Sequence, residues 1–191
     1  MGLRFVRPED CPALLEIYAQ YIHTPITFEY ELPSQAEFAR RILEFSDFYP
    51  YLVWEEDGTI LGYAYAHRQF ERAAYQWNVE LTVYLDQNAQ ARGLGTRLYR
   101  AVIELVRRQG MTYAYAYVTG GNARSCRLHE RLGFTLASVF PNTGYKNGAW
   151  QDMCWYLMPL NPCEDQPQPP RSVHEQDPAA VERILREAET A

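Results

Sequence analysis

Residues 90–95 read Gln-Ala-Arg-Gly-Leu-Gly, a composition that suits a phosphate-binding turn. They follow a segment, 77–85, in which apolar and polar residues alternate with the period of a strand. They precede a segment, 94–109, in which apolar residues recur at helical spacing. Glycines let a backbone approach a ligand closely, and a helix start presents free N–H groups and the positive end of its dipole. The pattern indicates a phosphate or pyrophosphate site; a tight connector without a ligand is the alternative.

A second candidate for chemistry is the run from Asn122 to Phe134, which contains a serine and a histidine at helical spacing. Taken alone, Asn122 has the character of a helix N-cap, and His129 that of a surface residue. The four histidines and four cysteines of the chain are dispersed, with neither metal-ligand nor CxxC spacing. We therefore predict no metal site, and reduced thiols in a cytoplasmic protein.

Composition and charge exclude several classes of protein. With 191 residues, 47% apolar and 22% charged, the chain is expected to form one globular domain with an appendage. A net charge of −6 argues against a broad nucleic-acid interface, and no apolar run is long enough for a membrane span. The first residues also lack the pattern of a secretory signal. We expect neither nucleic acid nor membrane as a partner.

The rest of the chain supplies the elements that must position these residues. Strands are predicted over 3–7, 51–54, 60–66 and 111–118, followed by a hairpin over 134–145 and 149–158. Helices are predicted after Pro8, after a capping box at 34–37, and around 124–132. This order predicts a mixed α/β or α+β sandwich of helices on one sheet.

The character of the chain changes after Leu160. Residues 161–178 are rich in proline and poor in large apolar residues, which is typical of a linker. A short helix is predicted beyond Asp177, through Val181 and Ile184. Because an isolated helix of this length is marginal in water, we expect 161–191 to be a disordered tail; the alternative is a helix that docks elsewhere.

Together the patterns Q-x-x-G-x-G and N-x-x-S-x-x-L-H-x-x-x-G-F resemble those of the GCN5-related N-acetyltransferase (GNAT) superfamily. Within it, the stretches 77–85, 127–130 and 144–152 are similar to phosphinothricin acetyltransferases. The resemblance covers residues 3–160 and implies a GNAT domain over 1–160. The implied α/β (α+β) fold is a central mixed, mostly antiparallel sheet of about seven strands flanked by about four helices, splayed between strands 77–85 and 111–118.

The resemblance implies that the chain uses acetyl-CoA and no metal. Amides of the glycine turn would hold the pyrophosphate, and the end of the preceding strand would pair with pantetheine. Polar residues at the start of the next helix would lie near the pantetheine and phosphates. The implied cofactor-binding residues are Val83, Tyr84, Leu85, Gln90, Ala91, Arg92, Gly93, Leu94, Gly95, Thr96, Asn122 and Ser125.

Two residues occupy positions that resemble the family's catalytic positions. Glu80 matches the general base that deprotonates the amine; its alternative is a solvated residue on the polar face of its strand. His129 stands where many members carry a tyrosine general acid, and a packing or hydrogen-bonding role is its alternative. In the family, the acetyl group passes directly between substrates in a ternary complex.

The resemblance also implies a set of substrate-binding residues: Phe28, Arg72, Tyr75, Thr82 and Lys146. Arg72 is suited to clamp a carboxylate or phosphinate, and a solvated loop charge is the alternative. Lys146 either faces the substrate mouth or only decorates the Asn147-Gly148 turn. Gln76 departs from the family, in which an arginine is common at this position.

We therefore expect an N-acetyltransferase that acts on the α-amino group of a small amino-acid-like compound, such as phosphinothricin, methionine sulfoximine or sulfone, or an ordinary amino acid. One alternative is a peptide or protein N-terminal acetyltransferase, which needs an open groove beside the 21–33 loop. The other is a catalytically silent acyl-CoA-binding module. The resemblance also implies a homodimer, for which the apolar hairpin at 134–158 would supply the contact.

Overall fold

The computed structural model describes residues 2–190. Its strands are β1 (Gly2–Phe5), β2 (Tyr51–Glu56), β3 (Thr59–Arg68), β4 (Asn78–Leu85), β5 (Tyr113–Thr119), β6 (Thr135–Lys146) and β7 (Ala149–Pro159). Its α-helices are α1 (Cys11–Ala19), α2 (Gln35–Ser46), α3 (Leu94–Arg108), α4 (Ala123–Leu132) and α5 (Pro178–Thr190).

The seven strands form one sheet in the order β1-β2-β3-β4-β5-β7-β6. Neighbouring strands are antiparallel except β4 and β5, which are parallel, so the predicted mixed, mostly antiparallel sheet is confirmed. β4 pairs with β5 only from Asn78 to Glu80, although both strands continue beyond that point. The sheet is therefore splayed between β4 and β5, as predicted.

Two hydrophobic layers cover the sheet. Residues of α3 and α5 pack on one face with Val79 and Leu81 of β4, whereas α1 and α2 cover the other face, against which Tyr84 packs. The side chains of β4 thus point alternately into two packed layers. The alternative interpretation of Glu80, as a solvated residue on a polar face shared with Asn78, Thr82 and Tyr84, does not hold, because aromatic side chains under α1 and α2 occupy that side.

Local signals in the sequence place the turns correctly. Asp57 and Gly58 have φ of +49° and +77°, and Asn147 and Gly148 have φ of +53° and +78°, as the tight turns of two hairpins require. The hydroxyl of Ser34 accepts a hydrogen bond from the Glu37 amide at 3.2 Å and caps α2.

The tail differs from the expected disordered segment. Helix α5 buries Ala180, Ile184 and Ala188 against α3 and β1. The preceding segment is also held, because the buried Gln109 side chain donates to the carbonyls of Phe48 and Arg171. A short helix that is marginal alone is stable once its apolar face is covered, and this docking adds a fifth α-helix to the expected four.

No helix within residues 2–190 is both long enough and apolar enough to cross a membrane.

Candidate active site

The splay between β4 and β5 opens a cavity of about 640 Å³. Its walls are the end of β4, the glycine turn with the first turn of α3, the end of β5, and α4. Most of the predicted cofactor-binding residues line it: Val83, Tyr84, Leu85, Gln90, Ala91, Gly93, Leu94, Gly95, Thr96, Asn122 and Ser125. The predicted substrate residue Thr82, on β4, and the predicted acid His129, on α4, also line the cavity.

The glycine turn presents backbone amides to this cavity. Gly93 is the N-cap of α3 and has φ of +80°, in the left-handed region that favours glycine. The amides of Leu94 and Gly95 follow in the first helical turn, where an α-helix offers no intrahelical acceptor. These donors and the helix dipole make the turn an anion site.

Gln90 explains the first letter of the Q-x-x-G-x-G pattern. Its amide nitrogen donates to the Tyr21 hydroxyl at 2.9 Å, and its amide oxygen accepts from the Arg124 guanidinium. Tyr21 in turn donates to the Leu85 carbonyl at 2.5 Å. Gln90 therefore connects the glycine turn to the loop after α1, to the end of β4 and to α4.

Arg92 does not line the cavity with its side chain. Its guanidinium lies 2.7 and 2.9 Å from the two Glu56 carboxylate oxygens, and this pairing lowers the pKa of Glu56. Of the residues named for the cofactor, Arg92 thus has its side chain committed elsewhere, and only its backbone belongs to the turn.

Helix α4 adds charge that the motif alone did not reveal. Asn122 caps the helix by accepting from the Ser125 amide at 3.1 Å, and it also faces the cavity. Arg124, Arg127 and Arg131 line the cavity from successive turns. Their spacing of three and four residues places them on one helix face, a signal in the sequence that was not used. The wall therefore suits a ligand with several phosphates.

Glu80 is the last residue of β4 that pairs with β5, next to the cavity-lining Leu81. Its carboxyl group lies among aromatic side chains on the α1–α2 face, and burial raises its pKa to about 7. The Nε2 atom of His67, its cross-strand neighbour on β3, is 3.6 Å from Glu80 Oε2. A carboxyl group with this pKa is suited to accept a proton near neutral pH.

His129 is buried and has both ring nitrogens engaged. Because Nδ1 lies 2.8 Å from the Ser125 carbonyl, Nδ1 carries the proton, and Nε2 lies 3.2 Å from the Tyr99 hydroxyl. Burial lowers the pKa of His129. The Tyr99 hydroxyl, which also lines the cavity, lies 3.0 Å from the Leu81 carbonyl as well, so its one proton is shared between that oxygen and His129 Nε2. Tyr99 escaped the sequence analysis, since its contacts with β4 and α4 depend on tertiary packing.

Phe28 and Lys146 come together away from the cavity. The Lys146 ammonium is buried and donates to the carbonyls of Thr27 and Glu29, at 2.5 and 2.8 Å. The Phe28 ring packs on Gly144, where an added Cβ would lie 2.4 Å from Phe28 Cε2. Lys146 therefore anchors the 21–33 loop on β6, and the alternative that it only decorates the Asn147-Gly148 turn is wrong, because its ammonium is buried.

Tyr75 and Arg72 lie on the 69–77 loop, outside the cavity wall. The Tyr75 ring packs edge-on against Phe70, with centroids 4.9 Å apart. The loop is joined to β5 by a hydrogen bond from Gln69 to the Tyr117 hydroxyl at 2.9 Å. Tyr117 itself lines the cavity, so the loop borders the site at this point.

Within residues 2–190, no group of three or more histidine, cysteine, aspartate or glutamate side chains is arranged to hold a metal ion.

Comparison with known proteins assigns this arrangement to a family. The family model described as "Acetyltransferase (GNAT) domain" matches residues 3–155. Phosphinothricin N-acetyltransferase of Streptomyces viridochromogenes is 35% identical over 165 residues, which is 86% of this chain and 88% of the relative. The L-methionine sulfoximine/L-methionine sulfone acetyltransferase of Salmonella typhimurium is 34% identical over 84% of this chain and 95% of its own length.

A solved structure with the same fold contains the cosubstrate. The GNAT superfamily phosphinothricin acetyltransferase of Sinorhizobium meliloti, in complex with acetyl-CoA, superimposes with a TM-score of 0.83 and 31% identity. The match covers 90% of this chain and 97% of that protein.

Proposed function

This chain belongs to the GNAT family and is an N-acetyltransferase, and from that premise we propose that it transfers the acetyl group of acetyl-CoA to the α-amino group of a small amino-acid-like acceptor. The acceptors named for its relatives, phosphinothricin and methionine sulfoximine or sulfone, define the class. The transfer is direct, with both substrates bound together.

The observation that carries this proposal is the position of Glu80. An α-ammonium group must lose a proton before its nitrogen can attack a thioester. Glu80 is desolvated, has a pKa of about 7, and lies where β4 leaves β5 and the cavity begins. It therefore acts as the general base, directly or through one water.

The donor half of the reaction uses the cavity. Amides of Gly93 to Thr96 hold the pyrophosphate, and the end of β4 from Val83 to Leu85 lies along the pantetheine. The arginines of α4 add positive charge toward the phosphates. When acetyl-CoA is held in this way, its thioester carbonyl lies in the splay beside the acceptor amine. The reaction between two molecules then becomes a step within one complex.

We assign His129 to the positioning of Tyr99 rather than to direct protonation of the leaving thiolate. Burial favours the neutral ring, and Nε2 is occupied by the Tyr99 hydroxyl. A coenzyme A thiolate leaves with little need of an acid. Removal of the His129 imidazole is therefore expected to lower kcat less than removal of the Glu80 carboxylate.

The 21–33 loop supports a small acceptor over a peptide. Lys146 and the Phe28–Gly144 contact fix this loop on the hairpin, and the Tyr30 hydroxyl donates to the Tyr145 carbonyl. A peptide substrate needs an open groove where this loop meets β6. The contacts favour a closed rim.

We also propose that the protein is a homodimer. The edge strand β6 and its partner β7 expose large apolar side chains: Leu136, Val139, Phe140, Tyr145 and Trp150. An exposed apolar edge strand is a template for association, and a second copy of the same hairpin would cover it. Sedimentation analysis of the wild type and of Val139→Glu tests this, with a dimer and a monomer expected, respectively.

The function is tested by thiol release from acetyl-CoA across free amino acids, phosphinothricin, methionine sulfoximine and sulfone, and short peptides. We expect the highest kcat/KM with a free amino-acid-like acceptor. A clear preference for peptides would contradict the proposal, and background hydrolysis without acceptor is the control.

A further inference from the structure

The proposed general base Glu80 has a histidine, His67, as its cross-strand neighbour. His67 and Glu80 face each other directly across the antiparallel pair β3–β4, and the Nε2 and Oε2 atoms are 3.6 Å apart. Each side chain is 21% exposed, so the pair is mostly withdrawn from solvent yet open to it at one side. The distance is slightly longer than a hydrogen bond, and a small rotation of the carboxyl group closes it.

The protonation state of His67 follows from its second nitrogen. Nδ1 lies 2.9 Å from the Arg68 carbonyl, which has no proton to give, so Nδ1 is the donor. In the neutral ring, the lone pair therefore lies on Nε2, the atom that faces Glu80. The ring is held in this orientation by stacking on Phe45 of α2, with centroids 4.9 Å apart and an angle of 21°.

We propose that His67 is a positioning residue that shares the proton of Glu80 and passes it to solvent, so that the two side chains act as one proton-accepting unit. The inference rests on the proposed function, in which Glu80 is the general base.

The proton balance is simple. Glu80 carboxylate takes a proton from the substrate ammonium and becomes a carboxylic acid. That acid donates the proton to Nε2 of His67, which restores the carboxylate and leaves an imidazolium. The imidazolium then releases the Nε2 proton to water, which leaves a neutral ring with its proton on Nδ1, as at the start. No oxidant, metal or further reactant enters these steps.

The surrounding charges are compatible with a single shared proton. Burial lowers the pKa of His67 and raises that of Glu80, which brings the two affinities for a proton closer together. Glu80 acts electrostatically on the hydroxyls of Tyr65 and Tyr117 and, through the sheet, on that of Tyr99; burial raises the pKa of all three, so they are neutral near pH 7.

On the outer side, Glu71 raises the pKa of His67, and the Arg68 carbonyl does the same. Two residues of α2 lie on this side. The charge of Arg41 lowers the pKa of Tyr65, and Phe45, which stacks on His67, has no titratable group. These surrounding groups shift the distribution of the proton between Glu80 and His67, but none of them accepts it.

The first test is the pH dependence of kcat/KM with a fixed amino-acid acceptor. If both a carboxylate at Glu80 and a neutral His67 are needed, the acidic limb of the wild type steepens from first to second order in proton concentration. In His67→Phe, which retains the stack on Phe45, we expect a first-order limb and a kcat/KM roughly 10-fold lower at pH 7. His174→Gln, a substitution at an exposed histidine outside the site, is the matched control and should retain the wild-type profile.

Chemical rescue separates proton transfer from packing. Imidazole added to His67→Ala should restore a large part of kcat in proportion to its concentration, whereas a purely structural loss would not respond. A wild-type pH profile in His67→Phe, or lost activity without imidazole rescue and without a change of slope, would overturn the proposal.

A measurement that needs no turnover tests the coupling of His67 and Glu80 independently of the proposed acetyl transfer. In an NMR titration, the His67 ring should report two inflections in the wild type, its own and that of Glu80, and one in Glu80→Gln. A single inflection in both proteins would mean that the pair is not coupled, whatever the acetyl acceptor. Conversely, coupling without acetyl transfer to any amine would contradict the proposed function alone.

Discussion

The two halves of the site are built differently. The proposed donor half, the cavity, is lined mostly by two continuous segments, residues 81–99 and 116–131, to which the 21–33 loop adds Tyr21 and Ile26. The proposed acceptor half consists of Glu80, the 69–77 loop, the rest of the 21–33 loop and the hairpin tip at Lys146, which are joined only by tertiary contacts. The donor half can therefore be recognised from sequence motifs. The acceptor half cannot, because its position and shape depend on tertiary contacts between distant residues.

This difference has a physical origin. A phosphate is held by backbone amides and a helix terminus, which a short strand-turn-helix unit supplies by itself. A base of suitable pKa needs desolvation, which only packing by distant residues provides. Substitutions that act on one half and not on the other are the way to test this separation.

The largest expected effect is on the base. Glu80→Gln removes the proton acceptor but retains the shape of the side chain, so we expect kcat to fall roughly 100- to 10,000-fold while the KM for acetyl-CoA stays unchanged. Steady-state kinetics with both substrates varied provides the measurement. Glu16→Gln, at an exposed position of α1, is the control; an unchanged kcat in Glu80→Gln would remove Glu80 as the base.

The same side chain is expected to reduce stability in a pH-dependent way. Folding raises the Glu80 pKa from 4.5 to about 7, so the folded state binds this proton more tightly than the unfolded chain. Stability from this group is therefore lost as pH rises from 4.5 to 7, by about 3 kcal/mol at most. The free energy of unfolding of Glu80→Gln should exceed that of the wild type at pH 8 by more than at pH 5.

Urea denaturation at the two pH values measures this difference. A constant difference between the two proteins across this range would show that Glu80 is not desolvated.

A smaller effect is expected on the donor half. Gly93→Ala places a Cβ at φ of +80°, which costs about 1–2 kcal/mol and displaces the amides of the turn. We expect the KM for acetyl-CoA to rise about 10-fold and the KM for the acceptor to stay constant. Gly58→Ala has nearly the same φ, +77°, in a turn that does not line the cavity. It should lose similar stability without a change in either KM.

The smallest expected effect concerns the acceptor rim. Gly144→Ala forces the Phe28 ring to move, because the new Cβ would lie 2.4 Å from it. We expect the KM for the acceptor to change several-fold while that for acetyl-CoA is constant. Gly148→Asn is the control on the same hairpin, since asparagine tolerates the positive φ and no atom lies within 4 Å of the new Cβ. Equal changes in both KM values would show that the two halves are not separable.

Much of the fold was predictable because its signals are local. The Asp57-Gly58 and Asn147-Gly148 turns, the Ser34 cap and the alternation of β4 are each determined within a few residues. The tail was not predictable, because its helix is stable only where Ala180, Ile184 and Ala188 meet α3 and β1.

The sequence by itself determined the family, the glycine turn and the identity of the candidate base, since these depend on residue type and spacing along the chain. Only the tertiary structure decided what the other residues do. It buried the face of β4 that carries Glu80, placed His67 beside that carboxyl group, engaged both nitrogens of His129, and used Lys146 to anchor a loop. The reason is that desolvation and hydrogen bonding across the sheet depend on residues far apart in the chain, and no pattern of spacing records them.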